Sequence, residues 1–351
     1  MNRNGIYRRI LTLCAVVIPV LYFSSCAHDN LQVYEQNSEN RTIGNYIHNN
    51  FDLSLFYAAL EKTELIDDLN SKDVITVFAP NDKAFNAMGI YRESDFDALN
   101  RDSLKNMLLY CMFESALLKS EVPLKSIDTE YTNKAGKNVL LSVGLDDNTL
   151  YFNGIKTSYA DIVLANGVLN ILDNLPKYRE GTVQDFLAHR TEYSCFVAAL
   201  KKFGYWDRLS EPGPWTVVAP DDQSFKARNI SLQSIEAMQP DAYKKRLFGG
   251  YIFKTRVFVS DLLVMFGGSG YPRYGSSVNN LIVHIDGDED MSSGIYLKES
   301  SLQPTFFLLN QRTSAVIESP LSSAYQINYM TDNGVIHNID ALLLTPTEAL
   351  Y

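Results

Sequence analysis

The feature that most constrains this chain is that it repeats itself. Laid over Thr182–Phe225 at an offset of 140 with no gap, Thr42–Phe85 gives 15 identities in 44 positions. The shared residues include Phe56/Phe196, Ala58-Ala59-Leu60/Ala198-Ala199-Leu200, Thr76-Val77/Thr216-Val217, Ala79-Pro80/Ala219-Pro220, Asp82/Asp222 and Phe85/Phe225. Farther on, Asn166-Gly167-Val168 with Asp173 recurs as Asn333-Gly334-Val335 with Asp340, now at an offset of 167. The second copy therefore holds 27 additional residues. So long a period describes duplicated domains, because solenoid units run ~20–50 residues. With 351 residues, 46% of them hydrophobic, each copy can bury a core of its own. The boundary falls at Lys177–Gly181, just after Pro176.

Both copies follow one plan. Leu53, Phe56, Tyr57 and Leu60 recur at helical spacing, and Asp52 before them is a suitable N-cap. Val74 to Ala79 is a β-rich run stopped by Pro80, which cannot donate to a ladder. Asn81 or Asp82 then caps a second helix that turns Ala84 and Phe85 inward; Trp215 to Asp222 repeats the pattern. Ile162–Ala165 and Val168–Leu172 flank Asn166-Gly167, a hairpin signal of the type I′ kind. Strands mixed with helices, without regular βαβ alternation, predict an α+β fold.

These motifs resemble those of the fasciclin domain family. Thr76 to Phe85 is similar to its first signature and Asn166 to Pro176 to its second; Thr216–Phe225 and Asn333–Asp340 supply both again. The resemblance implies two tandem fasciclin-like domains, 42–178 and 182–351, each a wedge of strands with packed helices. It further implies an extracellular or membrane-anchored protein of adhesion and surface interaction. It assigns structural roles to Thr76, Pro80, Asp82, Phe85, Asn166, Gly167 and Asp173. The matching positions in the second copy are Thr216, Pro220, Asp222, Phe225, Asn333, Gly334, His337 and Asp340. The family's Tyr-His pair stands here as Tyr110-Cys111 and Tyr251-Ile252, and the second-signature histidine is Asn170 in the first copy. Adhesive roles attached to the Tyr-His segment therefore do not carry over, and His337 reads as a hydrogen-bonded structural residue.

The first 25 residues read as an export signal. Arg3, Arg8 and Arg9 precede a 14-residue apolar stretch, Ile10 to Phe23, too short for the ~20 residues that cross a bilayer. Phe23-Ser24-Ser25-Cys26 resembles a bacterial lipobox, which makes Cys26 the lipidated residue and residues 26–41 a polar tether. The expected location is the outer membrane, at the cell surface. An ordinary cleaved signal peptide with an incidental cysteine is the alternative.

Chemistry is sparse. The net charge of −10 disfavours phosphate backbones, so nucleic acid is not an expected partner. No P-loop, dinucleotide fingerprint, His-Glu-x-x-His or Cys-x-x-Cys occurs, and the five histidines lack metal-ligand spacing. Cys111 and Cys195 sit singly in apolar runs, as core thiols do. Neither enzyme activity, cofactor nor metal is expected. Asp286-Gly287-Asp288-Glu289-Asp290 lacks the glycine and glutamate of an EF-hand and reads as a solvated hairpin turn. Phe266 to Gly275 joins flexible glycines to Tyr271, Arg273 and Tyr274. These side chains form either a binding loop or a loop folded back on its domain. The partner of such a surface protein is a protein or a glycan. The alternative function is an accessory glycan-binding lipoprotein of outer-membrane nutrient capture, with a hydrolase third.

Overall fold

The computed structural model describes residues 41–127, 129–144, 148–266, 281–285, 288–298, 303–314, 316–321 and 327–351. Cys26, Tyr271, Arg273 and Tyr274 lie outside the described residues, as do Asp286 and Gly287. The first domain holds strands β1 (Ile75–Pro80), β2 (Met112–Phe113), β3 (Glu130–Thr132), β4 (Asn138–Val143), β5 (Leu150–Phe152), β6 (Ile155–Leu164) and β7 (Gly167–Leu172). They form one sheet in the order β2-β1-β7-β6-β5-β4-β3. The second holds β8 (Trp215–Pro220), β9 (Ile252–Phe253), β10 (Leu281–Ile285), β11 (Asp288–Lys298), β12 (Gln303–Asn310), β13 (Val316–Pro320), β14 (Tyr329–Met330) and β15 (Gly334–Ile339). Here the described strands fall into two sheets, β14-β15-β8-β9 and β10-β11-β12-β13.

The two signatures of each domain are neighbouring parallel strands. β1 pairs with β7 from Ile75↔Gly167 to Pro80↔Leu172, and β8 with β15 from Trp215↔Gly334 to Pro220↔Ile339. Every residue of these four strands is buried, which is why they read as near-continuous apolar runs and not as alternating ones. Helices cover one face: α1 (Ile43–His48), α2 (Ser54–Lys62) and α3 (Asp82–Asn86), repeated as α4 (Val183–Ala188), α5 (Ser194–Lys202) and α6 (Asp222–Ala227). Phe56, Leu60 and Phe85 meet Val77 and Leu169 in one layer of the first core; Phe78, Phe113 and Phe152 form the other side. A separate core fills the second domain around Phe196, Phe225, Tyr251 and Phe306.

Three expectations need correction. Asp52 does not cap α2: it lies in a short turn, Phe51–Leu53, whose own cap is Asn50. The carboxylate of Asp82 caps α2 instead, accepting from Leu55 N at 2.8 Å and Ser54 Oγ at 2.5 Å. Asp222 does the same for α5, accepting from Cys195 N at 2.8 Å and Ser194 Oγ at 2.6 Å. The helix that follows each signature is capped by its neighbour, Asn81 or Asp221.

The hairpin also differs. Leu164 pairs with Gly167, so the loop is Ala165-Asn166, and Gly167 opens β7. At φ +147° a Cβ on Gly167 would stand 1.8 Å from the Ile75 carbonyl oxygen. Glycine is required there by close strand approach, not by a type I′ turn.

The acidic run does lie at a hairpin, since β10 pairs antiparallel with β11 (Ile285↔Asp288) and Glu289 is exposed, but Asp288 is not solvated. β11 begins at Asp288, which is 8% exposed. Its carboxylate accepts from Arg246 Nε at 2.6 Å and Arg246 Nη2 at 2.8 Å, a buried two-pronged pair. Asp290 pairs with Arg312 at 2.5 Å. The added length of the second copy goes partly into this meander: β11 has 11 residues and β12 has 8, against 6 in β4 and 3 in β5.

Candidate functional site

The signature side chains are framework. Asn166 Oδ1 accepts from Ile43 N at 2.9 Å, and its Nδ2 donates to the Leu69 and Ser71 carbonyls at 2.8 and 3.0 Å. Asn333 repeats the hub with Val183 N at 2.8 Å and the Leu209 and Glu211 carbonyls at 3.0 and 2.8 Å. Thr76 Oγ1 donates to the Ser115 carbonyl and accepts from Leu117 N; Thr216 does so with Thr255 and Val257. Asp173 accepts from Asn81 Nδ2, and Asp340 from Asn338 Nδ2. Pro80 and Pro220 end their strands, and Phe85 and Phe225 are fully buried.

Asn170 and His337 occupy the same place. Asn170 Oδ1 accepts from Asp161 N at 2.9 Å, and His337 Nδ1 from Asn328 N at 3.2 Å; both donors sit on positive-φ residues. The longer imidazole also reaches the Val257 carbonyl through Nε2 at 2.8 Å. Asn170 Nδ2 finds no such acceptor. Burial lowers the His337 pKa to about 4, with the Lys177 ammonium acting in the same direction. The unfolded chain, at about 6.5, takes up the proton first as pH falls. Stability from this group is thus complete above about pH 6.5 and is lost between there and pH 4, about 3 kcal/mol in all. Urea midpoints measured across this window should fall steeply for the natural chain and more gently for His337→Asn.

The tyrosines of the former Tyr-His pairs are internal. Tyr110 is 3% exposed, accepts from Asn153 Nδ2 at 2.7 Å and stacks on Tyr178 with centroids 4.7 Å apart. Tyr251 is fully buried and accepts from Leu343 N. Burial pushes the Cys111 thiol up to about 12 and the Cys195 thiol up to about 11, so neither is a thiolate at neutral pH. Among the described residues, no cluster of three or more His, Cys, Asp or Glu side chains is placed to hold a metal ion. No described helix is long and apolar enough to cross a membrane.

What the tertiary structure assembles is the junction between the domains. The segment 177–181 meets the second domain through a single parallel bridge, Tyr178↔Met330: Met330 N donates to the Lys177 carbonyl at 2.8 Å, and Arg179 N to the Met330 carbonyl at 2.9 Å. Leu140 of the first domain packs with Phe258, Met330 and Val335 of the second. Gly154 lets them meet, since a Cβ there would lie 2.6 Å from Phe258 Cβ. A polar girdle surrounds this plug. Tyr178 OH donates to Asp332, Lys137 bridges Glu180 at 3.0 Å and Asp332 at 3.6 Å, and Arg256 pairs with Glu130 at 3.0 Å. Hydrogen bonding to Tyr178 and Glu180 raises the Lys137 pKa, so its cation persists throughout the physiological range.

Two open clefts meet at this girdle. One, of about 400 Å³, runs between Tyr110, Lys137, Tyr178 and Arg179. The other, of about 430 Å³, runs from Arg179 and Glu180 to Phe186 and Arg190. They present rings, cations and carboxylates to solvent: groups that bind. None of the junction residues carries a local motif. The only sequence signal for them was the domain boundary itself.

The sequence matches the fasciclin domain family over residues 51–175 and again over 191–345. The chain therefore belongs to the fasciclin domain family and carries two tandem copies of its domain. It is 24% identical to human periostin over 230 residues, 63% of this chain and 25% of that protein. It is 29% identical to the pig transforming growth factor-beta-induced protein ig-h3 over 126 residues, 35% of this chain and 17% of that one. It thus spans a quarter or less of the length of these relatives. Among solved structures it is similar to a FAS1 domain pair from the insect cell adhesion molecule fasciclin I. That pair shows 19% identity and a TM-score of 0.34, with 85% of this chain and 99% of that one covered.

Proposed function

We propose that the chain is a surface-anchored interaction protein whose two fasciclin domains together present a binding surface and perform no chemistry. One observation carries this reading. The polar signature side chains are committed to holding strands and helices together, while Lys137, Arg179, Glu180 and Arg190, exposed or part-exposed, line the clefts at the domain junction. Membership of a family of adhesion and surface-interaction proteins supports it. Capture of partners by the full chain from surface-labelled cells tests it. Arg179 is exposed and lines both clefts, so Arg179→Glu should weaken partner capture tenfold or more and leave the melting temperature within about a degree. A variant that retains its partner at full strength removes the clefts from consideration.

The anchor belongs to the same proposal. Cys26 carries the lipid, and the bacterial outer membrane is the surface it enters. Cys26→Ala should move the protein from the membrane fraction to the soluble one and abolish acyl labelling; persistence of both would refute lipidation.

A further inference from the structure

The two domains differ in charge along a stretch whose ends are structurally matched. Asp82 binds Ser54 where Asp222 binds Ser194, and Thr76 binds Leu117 where Thr216 binds Val257, so 54–117 corresponds to 194–257. The first stretch holds 11 acidic and 6 basic residues, the second 6 acidic and 10 basic. A change from −5 to +4 is unexpected in a chain of net charge −10. Lys201 stands where the first copy has Glu61, and Lys254 where it has Glu114. Lys62 of the first copy pairs with Asp97, whereas Lys202, its counterpart, makes no ion pair among the described residues.

Five of these cations form one strip of surface. Lys201 and Lys202 end α5, and Lys201 Nζ lies 5.0 Å from the centroid of the Trp206 ring. Phe203, next in the chain, meets Tyr243 at 6.0 Å between centroids, which brings Lys244 and Lys245 alongside. Tyr205 OH donates to the Lys245 carbonyl at 3.5 Å, and Tyr205 and Lys254 line one depression. Lys244 is half-buried and the other four lysines are exposed; among the described residues, none of the five ammonium groups has a carboxylate partner. A helix C-terminus favours cations at 201 and 202, but Glu61 in the matching turn shows that the fold does not require them. Apolar groups stand among the lysines: Phe203, Trp206 and Tyr243 are half-buried, and Leu350, bridged to Tyr243, is 47% exposed.

We propose that this strip docks the second domain onto a membrane surface rich in anionic headgroups. Three features select that partner. Lysine ammonium groups are point charges on flexible stems, which suit mobile headgroups, whereas directed recognition of a sugar carboxylate or sulfate uses the guanidinium fork. The rings are not open platforms for stacking on a sugar or a base. Lys201 covers a face of Trp206, and Phe203 packs against Phe248 at 4.9 Å as well as Tyr243. Their apolar edges and Leu350, among lysines, match the boundary between headgroups and acyl chains, where aromatic and long basic side chains settle. The strip shares no lining residue with the junction clefts and is tested separately from them.

The full chain carrying Cys26→Ala, so that no lipid anchor reports, is sedimented with vesicles of phosphatidylcholine, alone and mixed with phosphatidylglycerol. Binding to the anionic vesicles is expected to be tenfold or more tighter, and the gap should narrow as salt is raised. Each lysine near such a surface raises affinity about fivefold, so Lys202→Gln with Lys245→Gln should weaken anionic binding about 25-fold. Both side chains are exposed, so the double variant should melt as the parent does. Arg3, Arg8 and Arg9 are common to both proteins and do not enter the difference. Trp206 is half-buried and Trp215 is 2% exposed, so brominated lipid should quench the emission, and Trp206→Phe should abolish that quenching. Unchanged binding by the double variant, or quenching that survives Trp206→Phe, overturns the docking strip. Retention of a soluble polyuronate or a DNA duplex through the same lysines, with no binding to vesicles, overturns the lipid surface as its partner.

Discussion

Replacing Asp288 by Ala is expected to destabilise the second domain by about 3–5 kcal/mol, because it strands the Arg246 guanidinium without its counter-ion. Arg246 is 9% exposed and lends its backbone N–H as well as its side chain to Asp288. Both charges are desolvated on folding, and their mutual contact offsets that cost. The physical account makes a second demand. Arg246→Met with Asp288→Leu removes both charges and fills the space, so the double variant should recover most of the loss. Urea unfolding of the three proteins measures this directly. A single variant within 1 kcal/mol of the natural chain would show that the pair is water-accessible. Calcium and a chelator should leave every midpoint unmoved, since the Asp288 carboxylate is engaged by arginine.

Asn333→Ala is the second large effect. The amide binds three backbone groups: Val183 N, the start of α4, and the Leu209 and Glu211 carbonyls before β8, the last of which also accepts from Trp215 Nε1 at 3.2 Å. Each buried group left unmet costs about 1–3 kcal/mol, so a loss of about 3 kcal/mol or more is expected. Asn333→Asp keeps the acceptor for Val183 but sets a carboxylate against two carbonyl oxygens. It should be no better than Ala. Asn166→Ala should reproduce the effect in the first domain, where the hub is the same. Denaturation followed by Trp emission reports the second domain, and far-ultraviolet circular dichroism reports both. Equal stability of Asn333→Ala and the natural chain would mean that water replaces the amide.

Much of the fold was legible because the chain states it twice. The repeat separated positions that recur from positions that drift, and Thr76, Asn166 and Asp82 recurred without any local reason. A helix cap was sought next to α2, at Asp52, because capping is ordinarily local. The true cap, Asp82, lies 27 residues from the amide it serves. The Asn-Gly hairpin was correctly placed but assigned to the wrong turn, since the strand approach that demands glycine at 167 involves Ile75, on a strand far away in sequence.

The sequence by itself determined that there are two α+β domains, where their apolar strands and helices run, and which polar residues recur in both. Those are consequences of periodicity and duplication, which a one-dimensional pattern carries. The tertiary structure decided what each polar side chain binds. Ile43 N meets Asn166 across 123 residues, Arg246 meets Asp288 across 42, and Tyr178 meets Asp332 across 154. A carboxylate in a polar run looks solvated until the chain brings an arginine to it. The energy of such a group depends on its burial and its partner, and both are properties of the folded chain.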